Sequence, residues 1–370
     1  MRIVYVLTSL GMGGAERQVL AVAKRMTARG HVVALLVLRG RVAEEWPTEI
    51  EVVRLGMRRS PLSVLAGLPR GRRFVRGFHP DVVHSHSFHA NFVARLLRLM
   101  GLRVPVLSTV HNVYEGGWHR MLAYRLTDFL SGRTAAVSAA AAERFVQLKA
   151  VPASKCIVMP NGIDTEEFAP DAARRASART DWNTGEDFVW ITAGRLVPAK
   201  DFPNLLQAFK LVRGAWPRSQ LWIAGEGKPG GRKEFSLLAV EHGLLEGVRW
   251  LGLRRDLPAL LDAADGFVLA SAWEGMPLVV GEAMAMEKPV VATDVGGVAE
   301  LVGSAGVLVP ARNSEALGQA MLAVMGQSEE HRARMGRAAR ERVATQFSIE
   351  ARVDEWENLY SELVREACNR

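Results

Sequence analysis

The chain is poor in cysteine: 370 residues contain only Cys156 and Cys368, far apart in sequence. That excludes a disulfide scaffold and suits a reducing compartment. There is no run of about 18 apolar residues, so no transmembrane helix is expected. The start, Met1-Arg2-Ile3-Val4-Tyr5-Val6-Leu7, lacks the regions and cleavage site of a secretory leader and passes straight into a glycine loop. A cytoplasmic protein is expected. No Asp-x-Asp motif occurs, and the nearest approach, Asp262-Ala263-Ala264-Asp265, has the wrong spacing. The cluster His84-Ser85-His86-Ser87-Phe88-His89 comes without cysteine or an H-E-x-x-H frame, so it does not read as a zinc site. Between residues 52 and 80 there is no acid at all. Apolar residues at 49% and charged residues at 23% exclude a disordered chain.

What is present is an alternation. Short β-rich runs (Ile3–Leu7, Val32–Leu38, Ile50–Leu55, Asp81–His84, Val104–Val110, Thr134–Val137) are separated by helical stretches such as Ala15–Arg29. The pattern lapses over 165–187, then restarts with Phe188–Thr192, Gln220–Ala224, Val248–Leu251, Gly266–Ala270, Pro289–Thr293 and Gly306–Val309. Strands alternating with helices predict parallel sheets. The expected fold is α/β, with two tandem Rossmann-like domains at 1–170 and 187–345, a linker at 171–186 and C-terminal helices. Open α/β sheets bind ligands beyond the carboxyl ends of their strands, and two facing domains would form a cleft. The halves differ in charge. Residues 1–170 carry 23 Lys/Arg against 12 Asp/Glu, and residues 171–370 carry 24 against 27, balances of +11 and −3. The first half is the one suited to an anionic partner.

Three stretches carry chemistry. Gly11-Met12-Gly13-Gly14-Ala15-Glu16 follows the first strand and opens a helix, which suits an anion. Glu16 stands where a dinucleotide fingerprint needs its third glycine, so a dehydrogenase is disfavoured, and a plain tight turn remains an alternative. Gly194-Arg195-Leu196-Val197-Pro198-Ala199-Lys200 places two cations at the end of a strand, a pair suited to a diphosphate, with two solvated cations as the plain alternative. In Ser271–Ala285 a Glu-Gly loop leads into a helix expected to begin near Pro277, whose free amides can receive phosphate or sugar oxygens. Glu274 and Glu282 there can accept hydrogen bonds from sugar or ribose hydroxyls.

With these pieces the chain resembles a GT-B-fold retaining glycosyltransferase of family 4. The resemblance rests on Gly13-Gly14 with Glu16, His111, Asn161-Gly162-Ile163-Asp164, Gly194-Arg195-Leu196 with Lys200, the Glu274–Glu282 pair, and Val290 to Gly297, in the family's order. It implies that Arg195 and Lys200 bind the donor diphosphate and stabilise the leaving group. It also implies that Glu282 holds the ribose and that Glu274, with Gly275, Met276, Pro277 and Leu278, meets the donor sugar. Gly13 and Gly14 would lie near the donor phosphates and His111 beside the sugar. His111, Arg195, Lys200 and Glu274 are thus the candidate catalytic set, and Glu16, His86 and Asn161 the acceptor-side candidates. The resemblance further implies front-face transfer of a hexosyl group from a nucleotide-diphosphate sugar to a hydroxyl acceptor, read here as a lipid-linked glycan or glycolipid of a surface polysaccharide. It implies no cofactor, no metal, and a last helix over 346–370 that returns to the first domain. The rival readings are a nucleotide-sugar epimerase or phosphorylase of the same fold and a non-catalytic sugar-nucleotide-binding protein.

Residues 52–80 carry seven arginines (Arg54, Arg58, Arg59, Arg70, Arg72, Arg73 and Arg76) interleaved with Leu62, Leu65, Leu68, Phe74, Val75 and Phe78. They read either as a contact for an anionic membrane surface, placing the protein on the inner face of the cytoplasmic membrane, or as a solvated helix with a core stripe. No nucleic-acid-binding motif is present.

Overall fold

The structure is a computed structural model that describes residues 1–11, 13–40, 49–58, 60–227 and 231–369. Met12 of the glycine loop and Arg59 of the basic stretch lie outside the described residues. The chain divides into two compact units, Met1–Gly162 with Ile349–Arg370, and Ile163–Ser348.

Unit 1 runs β1 (Arg2–Leu7), α1 (Gly14–Ala28), β2 (Val32–Val37), β3 (Glu51–Arg54), α2 (Pro61–Phe78), β4 (Val82–His86), α3 (Ser87–Leu99), β5 (Val106–Val110), α4 (Trp118–Thr127), β6 (Arg133–Ala136), α5 (Ala139–Gln147) and β7 (Cys156–Val158). Its seven-stranded sheet has the order β3-β2-β1-β4-β5-β6-β7, and the pairings are parallel. The inner strands are buried end to end, as a sheet covered on both faces requires.

Unit 2 runs α6 (Ala172–Asp181), β8 (Phe188–Ala193), α7 (Phe202–Ala215), β9 (Ser219–Ala224), α8 (Gly231–Glu241), β10 (Val248–Gly252), α9 (Leu257–Ala263), β11 (Gly266–Leu269), α10 (Leu278–Ala285), β12 (Val290–Thr293), α11 (Val298–Val302), β13 (Val307–Val309), α12 (Ser314–Met325) and α13 (Glu329–Gln346). Its six-stranded parallel sheet has the order β10-β9-β8-β11-β12-β13.

The last helix, α14 (Ile349–Cys368), belongs to unit 1. Ile349, Val353, Trp356, Leu359, Tyr360 and Leu363 recur at helical spacing and enter the core that holds Ile3, Tyr5 and Leu7 of β1. On its outer edge Arg25 pairs with Glu350, and Arg29 with Asp354 and Glu357.

Two expectations are corrected. The stretch read as a linker, 171–186, holds α6. Asp171 caps its first turn, accepting from Ala173 and Arg174 amides, and Arg174 pairs with Asp262 while Arg175 and Arg179 pair with Asp265. Apart from alanines the helix has no apolar residue, so hydrophobic periodicity could not reveal it. The Asp262/Asp265 pair, rejected as a metal motif on spacing, is taken up by these arginines. Pro277 is the N-cap of α10 rather than a residue of its first turn.

Candidate active site

In each sheet the strand order reverses once, between β1 and β4 in unit 1 and between β8 and β11 in unit 2. Connections leave such a point in opposite directions and open a crevice at the carboxyl ends of the two strands. The singled-out loops lie at these points.

In unit 2, Gly194–Lys200 follows β8 and the loop from Ala270 to Pro277 follows β11. The two are tied by the Ala272 amide, which donates to the Ala199 carbonyl at 2.8 Å. Lys200 Nζ donates to Glu274 Oε1 at 2.6 Å, and Ser271 Oγ donates to the same oxygen at 2.7 Å. Thr293 at the end of β12 fixes Ser271 in turn, its hydroxyl donating to the Ser271 carbonyl at 2.7 Å. Gly296, at φ 56°, lies so close that any Cβ would run into the Glu274 carbonyl oxygen, while the Gly297 amide donates to Gly275 O at 2.7 Å. The carboxylate of Glu274 is thus held from three strands. Arg195 is exposed, and its guanidinium has no hydrogen-bond or ion-pair partner among the described residues. Gly275, Met276, Pro277 and Leu278 are buried, and α10 starts without a side-chain cap. Glu282 sits on that helix, 3% exposed in an otherwise apolar segment. The structure therefore brings Lys200 and Glu274 into direct contact and sets Arg195 and Glu282 on the adjoining loop and helix.

In unit 1, Gly13 is the N-cap of α1 and Gly14 its exposed first residue, with no side chain capping the turn. Glu16 accepts from Ser9 Oγ at 3.2 Å and folds back over Gly13. His84 and His86, on one face of β4, have ring centres 4.0 Å apart. His84 is fully engaged, with Nδ1 2.7 Å from the Tyr360 hydroxyl and Nε2 2.7 Å from Thr109 Oγ1. His86 Nδ1 lies 3.0 Å from His111 Nε2. The other nitrogen of His86 and both amide atoms of Gln18 have no partner among the described residues. Together with His111 and Asn161 they line a cavity of about 10 Å³, room for a single water. Burial holds all three imidazoles neutral: it pushes His84 and His86 well below the usual histidine range and His111 down to about 4. Burial raises Glu115 to about 6, although Tyr124 Oη donates to it at 2.7 Å and the His111 amide at 3.1 Å.

His86, an acceptor-side candidate by sequence, is only 5% exposed and acts as the partner of His111. Asn161 is likewise buried. Sequence reasoning missed Gln18, Glu115 and Tyr360, single polar residues whose spacing relates them to nothing nearby, and, inside stretches it did single out, the roles of Ser271 and Thr293. Among the described residues no three His, Cys, Asp or Glu side chains are grouped to hold a metal. No described helix is long and apolar enough to cross a membrane.

Comparison with known proteins follows the same division. Residues 187–327 match the family model described as Glycosyl transferases group 1, and residues 12–167 match Glycosyltransferase Family 4. The chain is 28% identical over 299 residues to the Escherichia coli UDP-Gal:alpha-D-GlcNAc-diphosphoundecaprenol alpha-1,3-galactosyltransferase, spanning 77% of this chain and 76% of that one. It is 30% identical over 317 residues to the D-inositol 3-phosphate glycosyltransferase of Corynebacterium efficiens, spanning 79% and 74%. A crystal structure of Anabaena HepE in complex with UDP-glucose superposes with a TM-score of 0.85 at 22% identity, over 98% of this chain and 100% of the other. A glycosyltransferase from Rickettsia africae gives 0.85 at 21% identity, over 98% of both. The architecture of two parallel-sheet Rossmann-like halves is thus the GT-B fold. Matched by family models in both halves and by a relative spanned over most of its length, the chain belongs to the group 1 and family 4 glycosyltransferases and is a glycosyltransferase.

Proposed function

We propose that the protein transfers a hexosyl group from a nucleotide-diphosphate sugar to a hydroxyl acceptor with retention of configuration, without a bound metal. The observation that carries this reading is the arrangement at the unit 2 reversal: a carboxylate fixed by Ser271 and Lys200, with the exposed Arg195 on the neighbouring loop. A diphosphate is recognised by cations: Arg195, whose guanidinium has no partner among the described residues, supplies a fork, and Lys200, five residues on and paired with Glu274, supplies a point charge. As the sugar–phosphate bond breaks, negative charge grows on the departing diphosphate, and Arg195 and Lys200 stabilise it. Glu274 Oε1 is engaged by Lys200 and Ser271, which leaves Oε2 for a sugar hydroxyl. The amides of Gly275, Met276 and Leu278 flank that position, and Glu282 accepts from the ribose. In unit 1, Gly13 and Gly14 serve the phosphates, neutral His111 the sugar, and Glu16 the acceptor. The acceptor hydroxyl attacks on the face from which the diphosphate leaves, and a phosphate oxygen takes its proton, so rate comes from positioning and charge stabilisation.

The E. coli relative's name specifies a diphosphoundecaprenol-linked acceptor. With the +11 balance of residues 1–170, it supports a lipid-linked acceptor here and a peripheral location on the inner face of the cytoplasmic membrane. Calorimetric titration of UDP, GDP and ADP into metal-free protein tests the donor site. One nucleotide is expected to bind, with at least tenfold weaker affinity in Arg195→Ala and Lys200→Ala. Binding of none of the three, or unchanged affinity in both variants, overturns the assignment.

A further inference from the structure

Helix α4 is buried on one side only. Met121 and Tyr124 face the core, where Phe145 and Ala141 also pack. The opposite side carries Trp118, Leu122 and Leu126, with Phe129 one turn beyond, spaced four, four and three residues apart. They are 78%, 42%, 64% and 69% exposed. Single exposed apolar residues are unremarkable, but four on successive turns form a stripe that water solvates poorly. Arg125 is exposed within the stripe. The two acids nearby are turned inward: Glu115 accepts from Tyr124, and Asp128 is buried against Lys155. The face therefore presents an indole, two leucines, a phenyl ring and a guanidinium, with no carboxylate.

Helix α2 supplies the companion charge. Within residues 52–80, Leu68, Val75 and Phe78 are buried in the core, so the solvated-helix reading accounts for half of that segment. Arg70, Arg73 and Arg76 are exposed along with Leu62 and Leu65. Both α2 and α4 pack against α3, which places the basic and the apolar surfaces on one side of the unit 1 sheet. An apolar stripe ending in Trp, interrupted by Arg and backed by more Arg, is the pattern of a helix lying in the headgroup boundary of an anionic bilayer.

We propose that the Trp118–Leu122–Leu126–Phe129 face of α4 docks on an anionic lipid bilayer, with the arginines of α2 as its electrostatic support. The inference builds on the reading of a lipid-linked acceptor and names the surface that would bring the protein to it. The test is flotation of the full chain with vesicles of phosphatidylcholine alone and of phosphatidylcholine mixed with phosphatidylglycerol. The wild type is expected to float with the mixed vesicles only. Leu122→Gln combined with Leu126→Gln should weaken that partitioning about tenfold or more, with an unchanged far-ultraviolet dichroism spectrum and thermal midpoint as the check on folding. Arg70→Gln with Arg73→Gln should weaken it less and flatten its salt dependence. Failure of the wild type to float, or equal flotation of the leucine variant, overturns the proposal. So does a dimeric wild type in sedimentation that the leucine variant turns monomeric, since the face would then belong to a second copy. Nucleotide binding is read separately. Flotation without nucleotide affinity would sink the donor-site reading and leave the docking surface standing.

Discussion

Glu274 owes its position to neighbours that come from three separate stretches of the chain. Ser271 and Lys200 converge on one of its oxygens, and Thr293 and Gly296 fix the backbone on either side. Gly296→Ala must take up both a left-handed backbone and a collision with Glu274 O, so unit 2 should lose about 1–3 kcal/mol. Chemical unfolding measures that loss, and nucleotide affinity should fall in parallel. Ser271→Ala keeps the fold but leaves the carboxylate to Lys200 alone, and turnover is expected to drop about fivefold to tenfold with little change in KM. In unit 1 the buried imidazoles set a pH limit. In the unfolded chain they would titrate near 6.5, whereas His111 protonates in the native state only near 4 and His84 and His86 lie well below the usual range. As pH falls from about 6.5 toward 4 the unfolded state therefore takes up more protons than the folded one, and stability is lost. Glu115, raised to about 6, runs the other way: its ionisation destabilises the fold as pH rises through about 4.5–6, so acidification relieves that cost and offsets part of the histidine loss. Urea midpoints measured at pH 7 and pH 5 should show the lower value at pH 5, and Glu115→Gln should widen the gap. Arg195, Lys200, Glu274 and Glu282 were legible because local loops and the seven-residue carboxylate spacing display them. The His86–His111 pair and Gln18 were not, because strand and helix bring them together from distant positions.

At the scale of elements, the strands of both sheets were read within a residue or two, since parallel strands covered on both faces are continuous apolar runs. The edge strand β7, nowhere fully buried, did not stand out. Helix α6 was taken for a linker because arginine–aspartate pairs hold it, and charge pairing leaves no apolar period. Helix α14 is the opposite case. Its return to the first domain was implied only by the family resemblance, and its place against β1 comes from the structure. Trp356 packs at a tilt against His84, with ring centres 4.7 Å apart, and is 5% exposed. Trp356→Ala should destabilise unit 1 by about 3–5 kcal/mol. Tyr360→Phe removes the hydroxyl beside both His84 and Tyr5 and should cost about 1–3 kcal/mol. Thermal unfolding monitored by near-ultraviolet dichroism separates the two.

For the whole molecule, the division into units predicts unequal independence. Unit 2 is one continuous stretch, 163–348, and holds Arg195, Lys200, Glu274 and Glu282. Expressed alone it should fold and keep nucleotide affinity within about tenfold of the full chain, as dichroism and calorimetry would show. Residues 1–162 alone lack the six core side chains of α14 and should expose apolar surface and bind a hydrophobic dye. The same discontinuity governs biosynthesis. During translation the strands of unit 1 leave the ribosome first, yet their core stays open until all of unit 2 and then α14 have emerged. At roughly 5–20 residues per second the nascent first half waits on the order of ten seconds or more, one face of its sheet covered by α1 alone. The second half to be made is then the first able to finish folding, and a ribosome stalled between the units would strand a chain for chaperones or proteases to claim.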